Sequence, residues 1–254
     1  MIHYLGMGKG DVPRVGRPRN SNVNAESPRE EIVAAAARLF AADGYAQTSV
    51  SAIARAAGLR QSSLYYWFPN KEAIVEELID KNRESLEIAR EMVDRPEPAS
   101  ARLYRIIFID VVQMCSAPLD FYDLESVALA QPAEFGKYFF ADYRELGELM
   151  STVIRQGQSA GEFRSAEPDS ATAAALAMNE GLQYRYRRDG SGPARMGELA
   201  HLSAQTSLGA LLRDRRRLTA ARATAETLGS SPSPRVTTTG GGGSAHRRPE
   251  PHRR

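Results

Sequence analysis

The stretch that most constrains the fold is Thr48–Lys71, TSVSAIARAAGLRQSSLYYWFPNK. Val50, Ile53, Ala54 and Ala57 recur at the spacing that lines one face of a helix. Ser49 or Thr48 can cap that helix, because a hydroxyl oxygen accepts from the free first-turn N–H groups. Gly58 stands where the chain must leave the helix through a left-handed residue. Leu59 then turns back to the core. Gln61–Phe68 read as a second short helix, with Leu64 and Phe68 inward and Gln61, Ser62, Tyr65 and Tyr66 outward. Helices this short do not hold alone, so a supporting helix is needed on each side. The sequence supplies both, and the arrangement is a helix-turn-helix.

The same stretch has an unusual charge pattern. A quarter of the chain is charged (25%), yet no Asp or Glu occurs from Tyr45 to Lys71. Arg55, Arg60 and Lys71 are kept, interleaved with Tyr65, Tyr66 and Trp67. A surface that excludes carboxylates and offers cations and hydroxyls suits a phosphate backbone.

Residues Arg29–Asp80 resemble the DNA-binding domain of the tetracycline-repressor (TetR) family of bacterial transcription regulators. The resemblance rests on Ala36, Leu39, Phe40, Gly44, Tyr45, Thr48, Ser49, Val50, Ile53 and Ala54. It continues through the run A-G-L-x-x-x-x-L-Y-x-x-F-x-x-K, formed by Ala57, Gly58, Leu59, Leu64, Tyr65, Phe68 and Lys71. It covers about a fifth of the chain. It implies that Gln61, Ser62 and Ser63 approach base edges and that Thr48, Tyr65, Tyr66 and Lys71 hold phosphates, with Ser49 beside them. The chemistry agrees, since glutamine pairs with adenine and serine serves several bases. Arg60 is either a phosphate contact or a solvated charge. Trp67 departs from the small polar or histidine residue common there in the family, which argues against a base contact from it.

Around this element the chain reads as all-α. Residues 1–25 form a basic arm expected to be disordered. Arg17 and Arg19 there are either part of a solvated tail or are laid in a minor groove, where negative potential attracts arginine. Residues 26–86 form the DNA-binding domain, with the helix-turn-helix at about 49–68. Its first helix opens with Ser27, Pro28 and Glu30, a capping box, and ends at Gly44. Lys71 starts a helix expected to run unbroken to about Val93, where Asp94–Pro98, with two prolines, stops it. Residues 87–215 form a helical regulatory and dimerisation domain. Its helices are expected from Ser100, at about Phe121–Ala130, at about Ala133–Ser159, from an Asp169 or Ser170 cap to about Arg188, and near Met196–Arg213. Residues 216–254 lose periodicity and are expected to be a disordered tail.

Two features of the second domain bear on function. Ala171, Ala173, Ala174, Ala175 and Ala177, with Leu199, Leu202, Leu208, Leu211 and Leu212, serve either internal packing or close approach to a second copy. The resemblance implies a homodimer through the last two helices, and a two-fold dimer also doubles a short recognition site into a palindrome. Phe108, Met114, Phe121, Tyr122, Tyr138, Phe139 and Tyr143 fall on three consecutive helices. The resemblance implies an apolar cavity among them for a small apolar or amphipathic effector. Asp110 is the first polar candidate and Glu180, with Asn179 and Gln183, the next. A buried carboxylate is costly unless paired, so Asp110 either pairs with an arginine or meets a ligand.

Net charge is +2, so nucleic-acid binding must be local rather than a property of the whole chain. One cysteine fits a reducing compartment, and Cys115 reads as an inert core thiol. No signal-like segment or apolar run of membrane-spanning length appears, so a cytoplasmic, nucleoid-associated protein is expected. Gly-rich phosphate loops, metal-binding His spacing and nucleophile elbows are missing. The expectation is therefore a DNA-binding transcriptional repressor released by its effector, or alternatively an architectural DNA binder without effector, with double-stranded DNA as partner, no cofactor, no metal and no enzyme activity.

Overall fold

The computed structural model describes residues 27–130 and 133–228. All regular structure among them is helical: α1 Pro28–Asp43, α2 Val50–Ala56, α3 Gln61–Trp67, α4 Lys71–Asp80, α5 Glu84–Val93, α6 Ala99–Ser116, α7 Phe121–Leu129, α8 Ala133–Ser159, α9 Pro168–Arg188, α10 Pro193–Leu211 and α11 Arg217–Leu228.

Helices α1 to α4 form a head. Ser27 Oγ accepts the Glu30 N–H while Glu30 accepts the Ser27 N–H, which closes the capping box on α1. Ser49 Oγ accepts the Ala52 N–H at 3.1 Å and starts α2. Gly58, at φ +69°, makes the left-handed exit from α2 that a residue with a Cβ adopts only at a cost. Asn70 Oδ1 accepts the Ala73 N–H and starts α4. Ile32, Ala36, Phe40, Ile53, Leu64, Phe68, Ile74 and Leu78 are buried together. Each large member stabilises the head by about 1.5–3 kcal/mol relative to exposure. Arg29 fastens the far end of α3. It donates to the Trp67 carbonyl, donates to Glu77 at 2.7 Å and lies over the Phe68 ring.

The helix expected from Lys71 to Val93 is two helices. The break, Lys81–Arg83, is held from outside. Gln113 of α6 donates to the carbonyl and to Oδ1 of Asn82 and accepts the Ser85 N–H at 2.6 Å. Arg83 meets Asp142 of α8 at 2.9 Å. Tertiary hydrogen bonds thus replace the intrahelical ones that an unbroken helix would make there.

In the second lobe α6 is the axis. It is buried nearly all round, its polar Arg102, Asp110 and Gln113 included, and α5, α8, α9, α10 and α11 pack against it. Glu162 caps its N-terminus, accepting the N–H groups of Ala99 and Ser100. Phe163 forms a single antiparallel bridge with Leu212, which ties the α8–α9 turn to the end of α10. Glu167, rather than Asp169 or Ser170, caps α9.

The expectation of a featureless tail from residue 216 is corrected for Arg217–Leu228. These residues form α11, whose Ala221, Ala225 and Leu228 are buried in the core that includes α6. Residues 229–254, like residues 1–26, lie outside the described residues. The apolar cluster of the head continues into the second lobe through Met114, Phe121, Leu124 and Phe139. Head and lobe are therefore in van der Waals continuity.

Candidate DNA interface and effector cavity

The outer face of α3 has the form expected from its spacing. Leu64 and Phe68 are buried, while Gln61, Ser62, Ser63, Tyr65 and Tyr66 are exposed, Tyr66 at 82%. Gln61 Nε2 donates to the Tyr65 hydroxyl at 3.4 Å, and Tyr66 packs edge-on against Trp67. Arg60 is exposed just before α3, with Arg55 exposed on α2. The face therefore offers an amide, hydroxyls and two guanidinium groups, which suits bases and phosphates. Sequence reasoning left Arg55 out of the candidate site residues, although its exposed position follows from the buried stripe of α2. Arg17 and Arg19 lie outside the described residues.

Thr48 and Lys71 are placed differently. Thr48 is 3% exposed, and its hydroxyl donates to the carbonyls of Gly44 at 2.9 Å and Leu39 at 3.3 Å. This corrects the expectation that its side chain holds a phosphate: the hydroxyl is committed to closing the α1–α2 turn. The Lys71 ammonium donates to the carbonyls of Tyr45 at 2.7 Å and Thr48 at 2.9 Å and lies 3.8 Å from the centre of the Tyr45 ring. Burial pushes its pKa down. Lys71 is a staple between that turn and α4.

A cavity lies where α6, α7, α8 and α9 meet the α4–α5 break. Of the candidates, Asp110, Met114, Phe121, Phe139, Tyr143 and Glu180 line it. Tyr122 stands exposed at its edge and donates to Glu180 at 2.9 Å. Two candidates are corrected. Phe108 packs instead against His201 of α10, ring centres 4.7 Å apart, and Tyr138 is 68% exposed. The reason is helical phase, since each residue turns the side chain by about 100°. Phe108 is two residues from Asp110, and Tyr138 one from Phe139, so both leave the inward face. Ile79, Asn82, Ser85 and Gln113 also line the cavity. Sequence reading missed them because the break that exposes them is tertiary.

The space measures about 500 Å³ out to its mouth, of which about 40 Å³ admits the centre of a water molecule. That is room for a few waters. Asp110 is 4% exposed and accepts from Asn179 Nδ2 at 2.8 Å, and Asn179 in turn accepts from the Ser203 hydroxyl. The expected alternative of an arginine partner is not what the structure shows. Burial pushes the Asp110 pKa up, against the hydrogen bonds from Asn179 and Ser85. Tyr143 donates to Glu180 at 2.6 Å, and burial followed by that carboxylate pushes the phenol pKa up. Cys115 is buried, which raises its thiol pKa to about 11 and keeps it a thiol at neutral pH.

A carboxylate-free reading face on a short second helix, set on a helical lobe with a cavity at the junction, defines a helix-turn-helix DNA-binding protein with a ligand-accepting domain. Comparison with known proteins agrees. The profile of the bacterial regulatory proteins of the tetR family matches residues 32–78. The transcriptional repressor KstR2 of Mycobacterium tuberculosis is 30% identical over 166 residues, covering 64% of this chain and 77% of that protein. The crystal structure of Mycobacterium smegmatis AmtR superposes with a TM-score of 0.64 at 28% identity, covering 84% of this chain and 98% of that one. The structure of KstR2 from M. tuberculosis, a ketosteroid transcriptional regulator, gives 0.62 at 23% identity over 75% of this chain and 98% of that one, which speaks to the fold. The chain belongs to the TetR family of bacterial transcription regulators. It is a DNA-binding regulator of helix-turn-helix type.

Proposed function

We propose that the protein is a cytoplasmic repressor without enzyme activity, binding a palindromic operator as a homodimer and leaving it when a small molecule occupies the cavity. The observation that carries the reading is the α3 face. Gln61, Ser62, Ser63, Tyr65 and Tyr66 point outward from a helix anchored by Leu64 and Phe68, with no carboxylate on α2 or α3. Gln61, Ser62 and Ser63 are assigned to base edges, and Tyr65, Tyr66, Arg60 and the Ser49 cap to the phosphates beside them.

A helix of seven residues spans roughly 10 Å and meets few base pairs. A two-fold dimer doubles the site. The surface for it is on α9 and α10, though less of it is leucine than the sequence suggests. Leu199, Leu208, Leu211 and Leu212 are buried within the subunit, whereas Leu202, Tyr184, Ala173, Ala174 and Ala177 are exposed. Alanines allow helix axes to approach closely, and Leu202 and Tyr184 supply the apolar contact area. No helix among the described residues is long and apolar enough to cross a membrane.

Release follows from position. Ile79 of α4 and Asn82 of the break that follows it line the cavity. A ligand that parts its walls shifts α4 and the head packed on it. By linkage, a ligand that prefers the shifted state weakens DNA binding by the same factor that DNA weakens ligand binding. The test is fluorescence anisotropy of labelled DNA against salt concentration. The wild type should bind with a steep negative salt slope, and Tyr66→Ala should weaken binding to every sequence. Undiminished affinity in Tyr66→Ala combined with Arg60→Ala would remove α3 from the interface.

A further inference from the structure

Three carboxylates line the cavity, Asp110, Asp142 and Glu180, and of these Asp142 holds a cation, Arg83 at 2.9 Å. Glu145 and Glu97 in the same lobe likewise each hold an arginine, at 2.7 and 3.0 Å. Among the described residues no lysine or arginine stands within ion-pair distance of Asp110 or Glu180, and no basic residue lines the cavity. Asp110 is more than nine-tenths buried and faces the cavity from within the otherwise apolar run Ile106–Val112 of α6. Burying a carboxylate without a counter-charge is costly, and core packing alone is served better by an apolar residue.

The cavity that the two carboxyl groups line also has an aromatic wall. The Phe121 ring lies 5.0 Å from that of Tyr143 and 5.6 Å from that of Phe139. Glu180 is held at its mouth by the hydroxyls of Tyr143 and Tyr122. Two carboxylates beside an aromatic wall are complementary to a cation carried on an apolar body, since the ring faces are also negative. An anionic ligand would meet Asp110 and Glu180, while Arg83 is already engaged by Asp142 and Asp80.

We propose that the effector is a lipophilic amine, its protonated nitrogen held between Asp110 and Glu180 and its apolar body against Phe121, Phe139 and Tyr143. This rests on the reading of the cavity as the effector site. As the ammonium group enters, Asp110 is held ionised by it, and the Tyr143 and Tyr122 hydroxyls remain on Glu180.

Three compounds on one scaffold test this: phenylbutylamine, phenylbutanol and phenylbutanoate, titrated calorimetrically into the full-length protein without DNA. The amine should bind, the alcohol more weakly, and the carboxylate least of all. Glu180→Gln and Asp110→Asn should each weaken the amine by more than about tenfold, the loss expected when one member of a desolvated charge pair is removed, and should change the alcohol little. Circular dichroism establishes that each variant is folded, and Glu180→Gln alone suffices should Asp110→Asn not fold. Absence of amine binding, equal binding of the three compounds, or an amine affinity unmoved in the folded variants overturns the proposal. Release of DNA is measured separately. Amine binding that leaves the DNA complex intact keeps the site assignment and refutes the cavity as the regulatory site instead.

Discussion

Thr48→Val separates a structural from a DNA-binding role at the position where sequence pattern and structure disagree. The replacement keeps the shape and removes one hydroxyl. In the structure that hydroxyl donates to Gly44 at 2.9 Å and to Leu39 at 3.3 Å from a site 3% exposed. Losing the shorter bond costs about 1 kcal/mol, and leaving its carbonyl without that partner about 1 more. The added methyl recovers about 0.8 kcal/mol. A net loss of about 1–2 kcal/mol is expected, and at about 2–4 °C per kcal/mol for a chain of this size the melting temperature falls by about 3–6 °C. Thermal unfolding followed by circular dichroism measures the first quantity. Anisotropy with operator DNA, well below the melting temperature, measures the second, and affinity should stay within about twofold because the group removed does not face the surface. A tenfold loss of affinity with unchanged melting would show that the hydroxyl leaves the turn to bind phosphate.

Further outcomes follow from other sites. Lys71→Met should lower stability by about 1–2 kcal/mol, since two carbonyls lose a charged donor and the Tyr45 ring loses a cation; unchanged urea unfolding would contradict the staple. Gly157→Ala should destabilise, because a Cβ there overlaps the ring of buried Phe163. Overpacking of this kind costs about 1–3 kcal/mol, more than the roughly 1 kcal/mol that alanine gains in a helix, and a raised melting temperature would refute it. The Asp110 carboxyl has a folded pKa above its unfolded value of about 3.9. The folded state therefore keeps a proton that the unfolded state loses, so this group makes stability fall as pH rises from about 4 towards the folded pKa. Asp110→Asn should flatten that part of the stability profile, and an unaltered profile would contradict the assignment. Gln61→Ala should relax preference at one position of each half-site by about 1–3 kcal/mol, read by competition with single-base operator variants.

The helix-turn-helix was legible because its determinants are local. The Val50, Ile53, Ala54 stripe, the Ser49 cap and Gly58 each act within a few residues. The break at Lys81–Arg83 was not legible, because Gln113 and Asp142, which hold it, lie on α6 and α8. Helix α11 was missed for a different reason. Its buried side is two alanines and one leucine, too weak a period to stand out beside the low-complexity residues that follow. In the cavity the helices were identified from their apolar content, but the facing of each side chain depends on register. Asp110, Met114 and Phe139 share the inward phase, and Phe108 and Tyr138 do not. The absence of a basic partner for Asp110 is likewise a property of the packed lobe, where Asn179 fills the place an arginine would take.

The central claim is that α3 reads a specific, two-fold site. Selecting genomic fragments with the purified protein and sequencing them tests it most directly. The account predicts a short palindrome with half-sites about one helical turn apart, lost when Gln61, Ser62 and Tyr66 are replaced together by alanine. Recovery of fragments with no common motif, in amounts set only by salt, would contradict it.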